Sequence, residues 1–216
     1  MTNNICYIIG AGENYGLDLT PLANDFVIAA DAGIRYLEQS GITANLVIGD
    51  FDSLDYIPTH PNTVALSTEK DDTDMLAAVR EGIKAGYSIF HIYGGTGGRI
   101  DHTIANLQVL AYLSQNGMQG CLFDRNSVIT AITDREMTFE AIPSGYVSIF
   151  SHTEKSEGVY LQGLKYKLDN AVLTNTFPLG VSNEFIGKEG SIFVTSGTLI
   201  IVFPKEALEK LAVDVV

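Results

Sequence analysis

The chain has no tryptophan, only two cysteines, and half as many basic residues as acidic ones, thirteen against twenty-six. Each shortage excludes something. Cys6 and Cys121 lie far apart and outside any Cys-x-x-Cys spacing, so neither a disulfide framework nor a zinc site is expected. A net charge of −13 repels phosphate backbones and argues against nucleic acid as a partner. No apolar run approaches the roughly 20 residues that a membrane-crossing helix needs. Met1-Thr2-Asn3-Asn4 carries no basic stretch, and Ile5 to Gly10 is too short for the apolar core of a signal peptide. The expectation is a cytoplasmic protein that does not touch a membrane.

The hydrophobic residues come in short runs broken by Gly, Asn, Asp and Pro, as in a globular protein. A length of 216 residues suits one large or two modest domains, and a change of pattern near Asn126 favours two. Before it, Ile5–Ile9, Phe26–Ala30, Leu46–Ile48 and Ser88–Tyr93 read as buried strands, each ending at Gly or Asp. Met75, Val79, Gly82 and Ile83, then Ile104, Leu107 and Ala111, have helical spacing. This alternation predicts an α/β fold over 1–126: a Rossmann-like, mostly parallel sheet with helices on both faces. After Asn126 the runs Ser127–Thr133, Met137–Ala141, Tyr146–Phe150, Val159–Gln162, Ser191–Thr195 and Leu199–Phe203 predict an antiparallel β-sandwich over 127–216, closed by a helix beginning near Pro204.

In open parallel sheets, ligands gather at the carboxyl ends of the strands, where this chain keeps its Gly and Asp clusters. Gly49-Asp50-Phe51-Asp52-Ser53 puts two carboxylates on one side of an extended segment, either as hard oxygen ligands for Mg²⁺ or as an Asp-rich turn. Lys70-Asp71-Asp72-Thr73-Asp74 opens a helix; one Asp suffices for capping and dipole, and three in four positions point further, to a metal or nucleotide. Gly94-Gly95-Thr96-Gly97-Gly98-Arg99-Ile100-Asp101-His102 combines a glycine loop, a helix N-terminus and an arginine fork suited to phosphate. It is neither a Walker A loop nor the dinucleotide fingerprint. Taken singly, Asp101 reads equally as a helix cap and His102 as a packed or hydrogen-bonded histidine. Gly10-Ala11-Gly12-Glu13 and Asp31-Ala32-Gly33 complete the set on the same rim.

Asp31-Ala-Gly, Gly49-Asp-Phe-Asp-Ser, Lys70-Asp-Asp-Thr-Asp, Gly98-Arg-Ile-Asp-His and Gly180-Val-Ser-Asn-Glu184, in this order and spacing over most of the chain, resemble the thiamine pyrophosphokinase family. The resemblance implies an ATP-holding α/β domain, a β-sandwich contributing to thiamine binding and dimerisation, and a homodimer. It implies transfer of the pyrophosphate of ATP to the hydroxyl of thiamine, giving thiamine diphosphate and AMP, with Mg²⁺ as cofactor. By the same resemblance Asp31, Asp50, Asp52 and Asp74 surround Mg²⁺, and Asp31, Thr73, Arg99, Asp101 and His102 contact the nucleotide. Asp71, Asp74 and Arg99 carry catalysis, with Asp71 or Asp74 accepting the hydroxyl proton, and Ser182 and Asn183 contact thiamine. Two departures stand out: Ala32 where the family often has glycine, and no indole to stack on thiamine; Tyr166, Phe177 and Phe185 are candidate substitutes, although ordinary core packing is the better reading of each. The competing readings are a pyrophosphokinase acting on a pterin alcohol and a nucleotide-binding regulatory module without catalysis.

Overall fold

Apolar runs buried on both sides build the first sheet. A computed structural model of the chain describes residues 4–51, 54, 56, 58–67 and 72–213. It divides into two units, Met1–Val109 with Met118–Arg125, and Leu110–Gly117 with Asn126–Val216. In the first unit, β1 (Ile5–Ile9), β2 (Phe26–Ala30) and β3 (Leu46–Gly49) are buried along nearly their whole length, as strands covered on two faces must be. β4 (Thr63–Ala65), β5 (Ile89–Tyr93) and β6 (Gln119–Phe123) complete the unit. All pairs are parallel, in the order β6-β5-β1-β2-β3-β4.

Three helices cross between these strands: α1 (Gly33–Ser40), α2 (Asp74–Lys84) and α3 (Ile100–Gln115). α1 stops at Gly41, whose left-handed φ of 68° lets its amide close back on the Glu38 carbonyl. α2 lies hard against the sheet at Gly82, where a Cβ would come within 2.6 Å of Phe90 and 2.8 Å of Cys6. Burial there pushes the Cys6 thiol up to about 12, so it acts as a small apolar group.

An aromatic cluster spans three neighbouring strands. Tyr7 meets His91 edge-on at 5.6 Å, His91 meets Phe123 at 5.2 Å, and Tyr93 stacks on Phe123 at 4.4 Å. The Tyr93 hydroxyl donates to the Asp18 carbonyl at 3.0 Å and the Tyr87 hydroxyl to the Asn24 carbonyl at 2.9 Å, tying down the long β1–β2 connection.

The second unit is antiparallel. β7 (Ser127–Thr133), β8 (Glu136–Phe139), β9 (Tyr146–Ser151), β10 (Lys155–Gln162), β11 (Leu168–Thr174), β12 (Gly180–Glu184), β13 (Gly190–Ser196), β14 (Thr198–Pro204) and β15 (Leu211–Val213) follow one another. They pair as β12-β9-β14-β7 and as β11-β10-β13-β8-β15. Phe139 joins the two sets, edge-to-face with Phe185 at 5.1 Å and with Phe203 at 5.3 Å, all three buried. The end of α3 is tied to this unit by hydroxyls: Ser114 Oγ lies 2.9 Å from Thr133 Oγ1, and Gln115 Nε2 donates to Thr198 Oγ1 at 3.1 Å.

The terminal helix expected after Pro204 is a 3₁₀ segment, Lys205–Lys210, and the chain then returns as β15 to pair with β8. Ladder hydrogen bonds along β8 replace those a longer helix would make. β4, β6, β11 and β12 lie outside the expected strands. β11 is exposed on both sides over much of its length and carries Asp169 and Asn170, so it shows no apolar alternation to read. β10 begins four residues earlier than expected, at Lys155, because Gly158 (φ 61°) sits at a register shift against β11 and lets the ladder continue past it.

Asn183 closes the β12 edge. It is 3% exposed; its Oδ1 accepts from the Tyr166 and Glu184 amides, both at 2.9 Å, and its Nδ2 donates to the Tyr166 carbonyl at 2.6 Å. One side chain thus stitches the β10–β11 connection to β12.

Two measurements check these assignments. Burial holds the His91 imidazole down at about 4 in the folded chain, whereas in the unfolded chain it takes a proton below about 6.5. Between those values the unfolded state binds the extra proton, so stability falls as pH drops from about 6.5 toward 4 and this contribution then levels off. Urea midpoints at pH 7.5 and pH 5 should differ less in His91→Phe than in the wild type; equal differences would remove His91 as the cause. Asn183→Leu, which strands both polar groups of Tyr166, should cost about 2–3 kcal/mol in urea unfolding, and Asn183→Asp less, since it keeps the acceptor. An unchanged midpoint for the leucine variant would show the stitch to be idle.

Candidate active site

The strand order creates the site. From β1 the chain moves outward to β2, β3 and β4, then crosses to the other side of β1 for β5 and β6. The connections leaving β1 and β5 therefore diverge, and a crevice opens beyond their carboxyl ends.

Its floor is two glycine loops laid edge to edge. Past the strands, Gly10 donates to the Tyr93 carbonyl and Gly12 to the Gly94 carbonyl, both at 2.8 Å, and Glu13 donates to the Thr96 carbonyl at 3.0 Å. The approach tolerates no side chain: a Cβ on Gly12 would lie 2.6 Å from Gly94 O, and one on Gly94 (φ 61°) would lie 2.4 Å from Gly10 O. Gly33 brings the start of α1 equally close, since its Cβ would sit 1.9 Å from the Ile9 carbonyl. Above the floor is a cavity of about 460 Å³, whose walls include Asp31, Tyr36, Asp74, Arg99, His102 and Asn106.

Asp31 follows β2 directly, and its amide donates to the Ile48 carbonyl at 2.8 Å. Its own φ is 50°, while Ala32 has an ordinary helical φ of −66°. The left-handed turn thus falls on the aspartate, which tolerates it, and an alanine in the next position carries no strain. Asp31 is 8% exposed, and its Oδ1 is buried with no hydrogen-bond partner among the described residues. A buried carboxylate oxygen left unpaired is costly unless a cation or donor meets it. A hard cation such as Mg²⁺ fits this oxygen, with Asp74 on the wall of the same cavity.

The acidic run before α2 separates into different tasks. Asp72 pairs with Arg80, Thr73 caps the helix by accepting from the Leu76 amide at 3.2 Å, and Asp74 lines the cavity. Asp71 lies outside the described residues, as does Asp52. Asp50, just beyond β3, is not among the cavity-lining residues, although a Cβ on its neighbour Gly49 would lie 2.9 Å from the Asp31 Cα. Among the described residues, no three His, Cys, Asp or Glu side chains gather closely enough to hold a metal by themselves.

At the start of α3, Arg99 is clamped by Asp101, with Nη2 to Oδ2 at 2.6 Å and Nε to Oδ1 at 3.2 Å. The hydrogen bond from Arg99 holds the Asp101 carboxyl below its usual range. Arg99 and His102 face the cavity and Asp101 does not line it, so Asp101 reaches the site through the arginine. Tyr36, whose hydroxyl donates to the Gly12 carbonyl at 2.8 Å, and Asn106 were not foreseen. The spacing of Asn106, one helical turn beyond His102, could have marked it; nothing in the sequence marks Tyr36.

Ser182 and Asn183 belong to the second unit. Ser182 is exposed with a φ of 60°, and its amide donates to Ser148 Oγ at 3.0 Å. Of the aromatic candidates, Phe185 is core at 3% exposure, while Tyr166 and Phe177 are 57% and 66% exposed.

Comparison with known proteins agrees with this geometry. The family model described as thiamin pyrophosphokinase, catalytic domain, matches residues 21–122, and the one described as thiamin pyrophosphokinase, vitamin B1 binding domain, matches residues 133–199. A curated thiamine pyrophosphokinase from Bacillus subtilis is 29% identical over 204 residues, covering 90% of this chain and 95% of the relative. Among solved structures, a thiamine pyrophosphokinase from Bacillus subtilis superposes with a TM-score of 0.81 at 27% identity, over 93% of this chain and 99% of the other. A thiamin pyrophosphokinase family protein from Enterococcus faecalis does so with a TM-score of 0.81 at 26% identity, over 94% and 99%. With a nucleotide-sized crevice at the sheet's switch point and both family models matched in order along the chain, this protein belongs to the thiamin pyrophosphokinase family.

Proposed function

We propose that this chain transfers the pyrophosphoryl group of ATP to the hydroxyl of thiamine, forming thiamine diphosphate and AMP. The observation that carries this reading is the buried Asp31 carboxylate oxygen, without a partner among the described residues, in a glycine-floored crevice that Arg99 also lines. An acid alone would repel a triphosphate; an acid with a divalent cation, facing loop amides and a guanidinium, would hold one.

Asp31 and Asp74 hold Mg²⁺ in this reading, with Asp50 and Asp52 supporting from the loop after β3. When bound, the ion neutralises charge on the phosphates. The amides of the Gly94–Gly98 loop and Arg99 grip the polyphosphate, Asp101 keeps the arginine fork oriented, and His102 contacts the nucleotide from the same helix turn. Thr73 contributes by starting α2 so that Asp74 meets the cavity. The thiamine hydroxyl oxygen attacks the β-phosphorus, the bond from that phosphorus to the α–β bridging oxygen breaks, and AMP departs with the oxygen. The hydroxyl proton passes to a carboxylate, Asp71 or Asp74, and on to water. Alignment of the two substrates supplies most of the rate.

Ser182 contacts thiamine, and Asn183, with its amide committed to Tyr166 and Glu184, holds the segment that presents it. The exposed apolar side chains Tyr146, Val172, Phe177, Leu179 and Val181 on the second unit support a homodimer. No helix among the described residues is long and apolar enough to cross a membrane, and a cytoplasmic location fits a reaction that consumes ATP.

Incubation with ATP, Mg²⁺ and thiamine should yield AMP and thiamine diphosphate in equal amounts. ADP in place of AMP would contradict pyrophosphoryl transfer, AMP formed only with a pterin alcohol would reassign the acceptor, and nucleotide binding without turnover would leave a regulatory module. Asp31→Asn keeps the left-handed backbone while removing the charge. It should lower turnover by about a hundredfold or more, abolish the Mg²⁺-dependent rise in Tm with ATP, and leave the ligand-free Tm equal or higher, because negative charge is removed from a buried oxygen that has no partner among the described residues. Undiminished turnover would refute the metal assignment.

A further inference from the structure

The glycine loop between β5 and α3 is held from outside at three successive carbonyls. Gly94 O accepts from Gly12 at 2.8 Å and Thr96 O from Glu13 at 3.0 Å. Between them, Gly95 O accepts from Nδ2 of Asn106 on α3 at 2.7 Å. The Thr96 hydroxyl donates to Oδ1 of Asp124, just beyond β6, at 2.7 Å. Thr96 and Asn106 are each 5% exposed, so water competes little for these bonds.

The loop needs such anchors. Gly94, Gly97 and Gly98 all have left-handed φ, at 61°, 78° and 61°. A segment so rich in glycine has more freedom to lose than any other kind, and unanchored it would be ordered afresh each time a phosphate bound. Ordering it in advance moves that cost from binding to folding. The peptide plane also transmits the anchor: fixing the Gly95 carbonyl fixes the direction of the Thr96 amide joined to it. Gly95 fits the contact because it lacks a side chain, a Cβ there lying 3.1 Å from Asn106 Nδ2 and 2.6 Å from Leu122.

We infer that Asn106 and the Thr96–Asp124 hydrogen bond are positioning elements that hold the Gly94–Gly98 loop in its phosphate-receiving shape, and so set the affinity for ATP without entering the bond-making step. This rests on the assignment of the crevice to ATP. It concerns the side chains of Thr96, Asn106 and Asp124, none of which is among the metal, nucleotide and thiamine contacts named above.

The test measures the KM for ATP, the KM for thiamine and kcat, together with calorimetric binding of ATP and Mg²⁺ without thiamine. Thr96→Val removes the hydroxyl at constant shape and Thr96→Ser keeps it. The valine variant should raise both the KM and the Kd for ATP about tenfold, one hydrogen bond's worth. The serine variant should return both to within about twofold of wild type, with kcat and the thiamine KM moving less than about threefold in either. Asn106→Leu should shift ATP affinity in the same direction; if it fails to fold, the Thr96 pair decides. Unchanged ATP affinity in the valine variant, a serine variant as weak as valine, or a fall in kcat at constant ATP KM would overturn the inference. If the unaltered chain binds no ATP, the crevice's assignment falls and takes the inference with it, a result distinct from wild-type binding that the Thr96 variants leave untouched.

Discussion

The parallel ladder between β1 and β5 does not stop where the strands stop, and the site depends on that continuation. Gly10, Gly12 and Glu13 go on donating to Tyr93, Gly94 and Thr96, with the two backbones closer than any Cβ would permit. This lock is at the point where the strand order reverses, so it makes a rigid floor at the place where the topology opens a crevice. Gly33 brings the start of α1 against the end of β1 in the same way, and Asp31 lies at the rim between β2 and that helix. A side chain at any of these glycines would pry the floor apart before it touched a ligand.

Strain gathers in the segments singled out for function, and charge in the first unit's crevice. Among the described residues, five non-glycine residues have positive φ, and three of them, Asp31, Phe51 and Ser182, lie in the segments singled out for function. Asp31, Asp134 and Asn170 are residue types that adopt such angles readily, so the strain rests on Phe51 and Ser182. Held conformations of this kind cost of order 1–3 kcal/mol each and persist where the surroundings enforce them. The buried Asp31 oxygen adds an electrostatic cost of the same sense.

In the second unit the polar residues divide between presenting and holding. Asn183 is buried and its hydrogen-bonding groups are spent on Tyr166 and Glu184, while the neighbouring Ser182 is exposed and has a left-handed φ of 60°. The same division recurs in the first unit, where Thr73 caps α2 and its neighbour Asp74 meets the cavity, and where Asp101 clamps Arg99. Adjacent residues of one motif thus do unlike things.

The strands β1, β2, β3 and β5, the helices α2 and α3, and the clustering of Gly and Asp at strand ends follow from periodicity and turn chemistry, which are local and so are legible in the sequence. The motif order that marks the family is equally a property of the chain alone. β11 and β12 escape such a reading because they carry polar, exposed residues and are strands only through their partners. The terminal helix expected after Pro204 is a short 3₁₀ segment, and the strand β15 that follows it is a strand only through its pairing with β8. Tertiary structure alone decided that Asp31 is buried with an oxygen that has no partner among the described residues, that Asp72 answers to Arg80, that Asn183 is a stitch and that Phe185 is core. Residue type says what bonds a side chain can make, but which it does make is settled by groups brought near from distant parts of the chain.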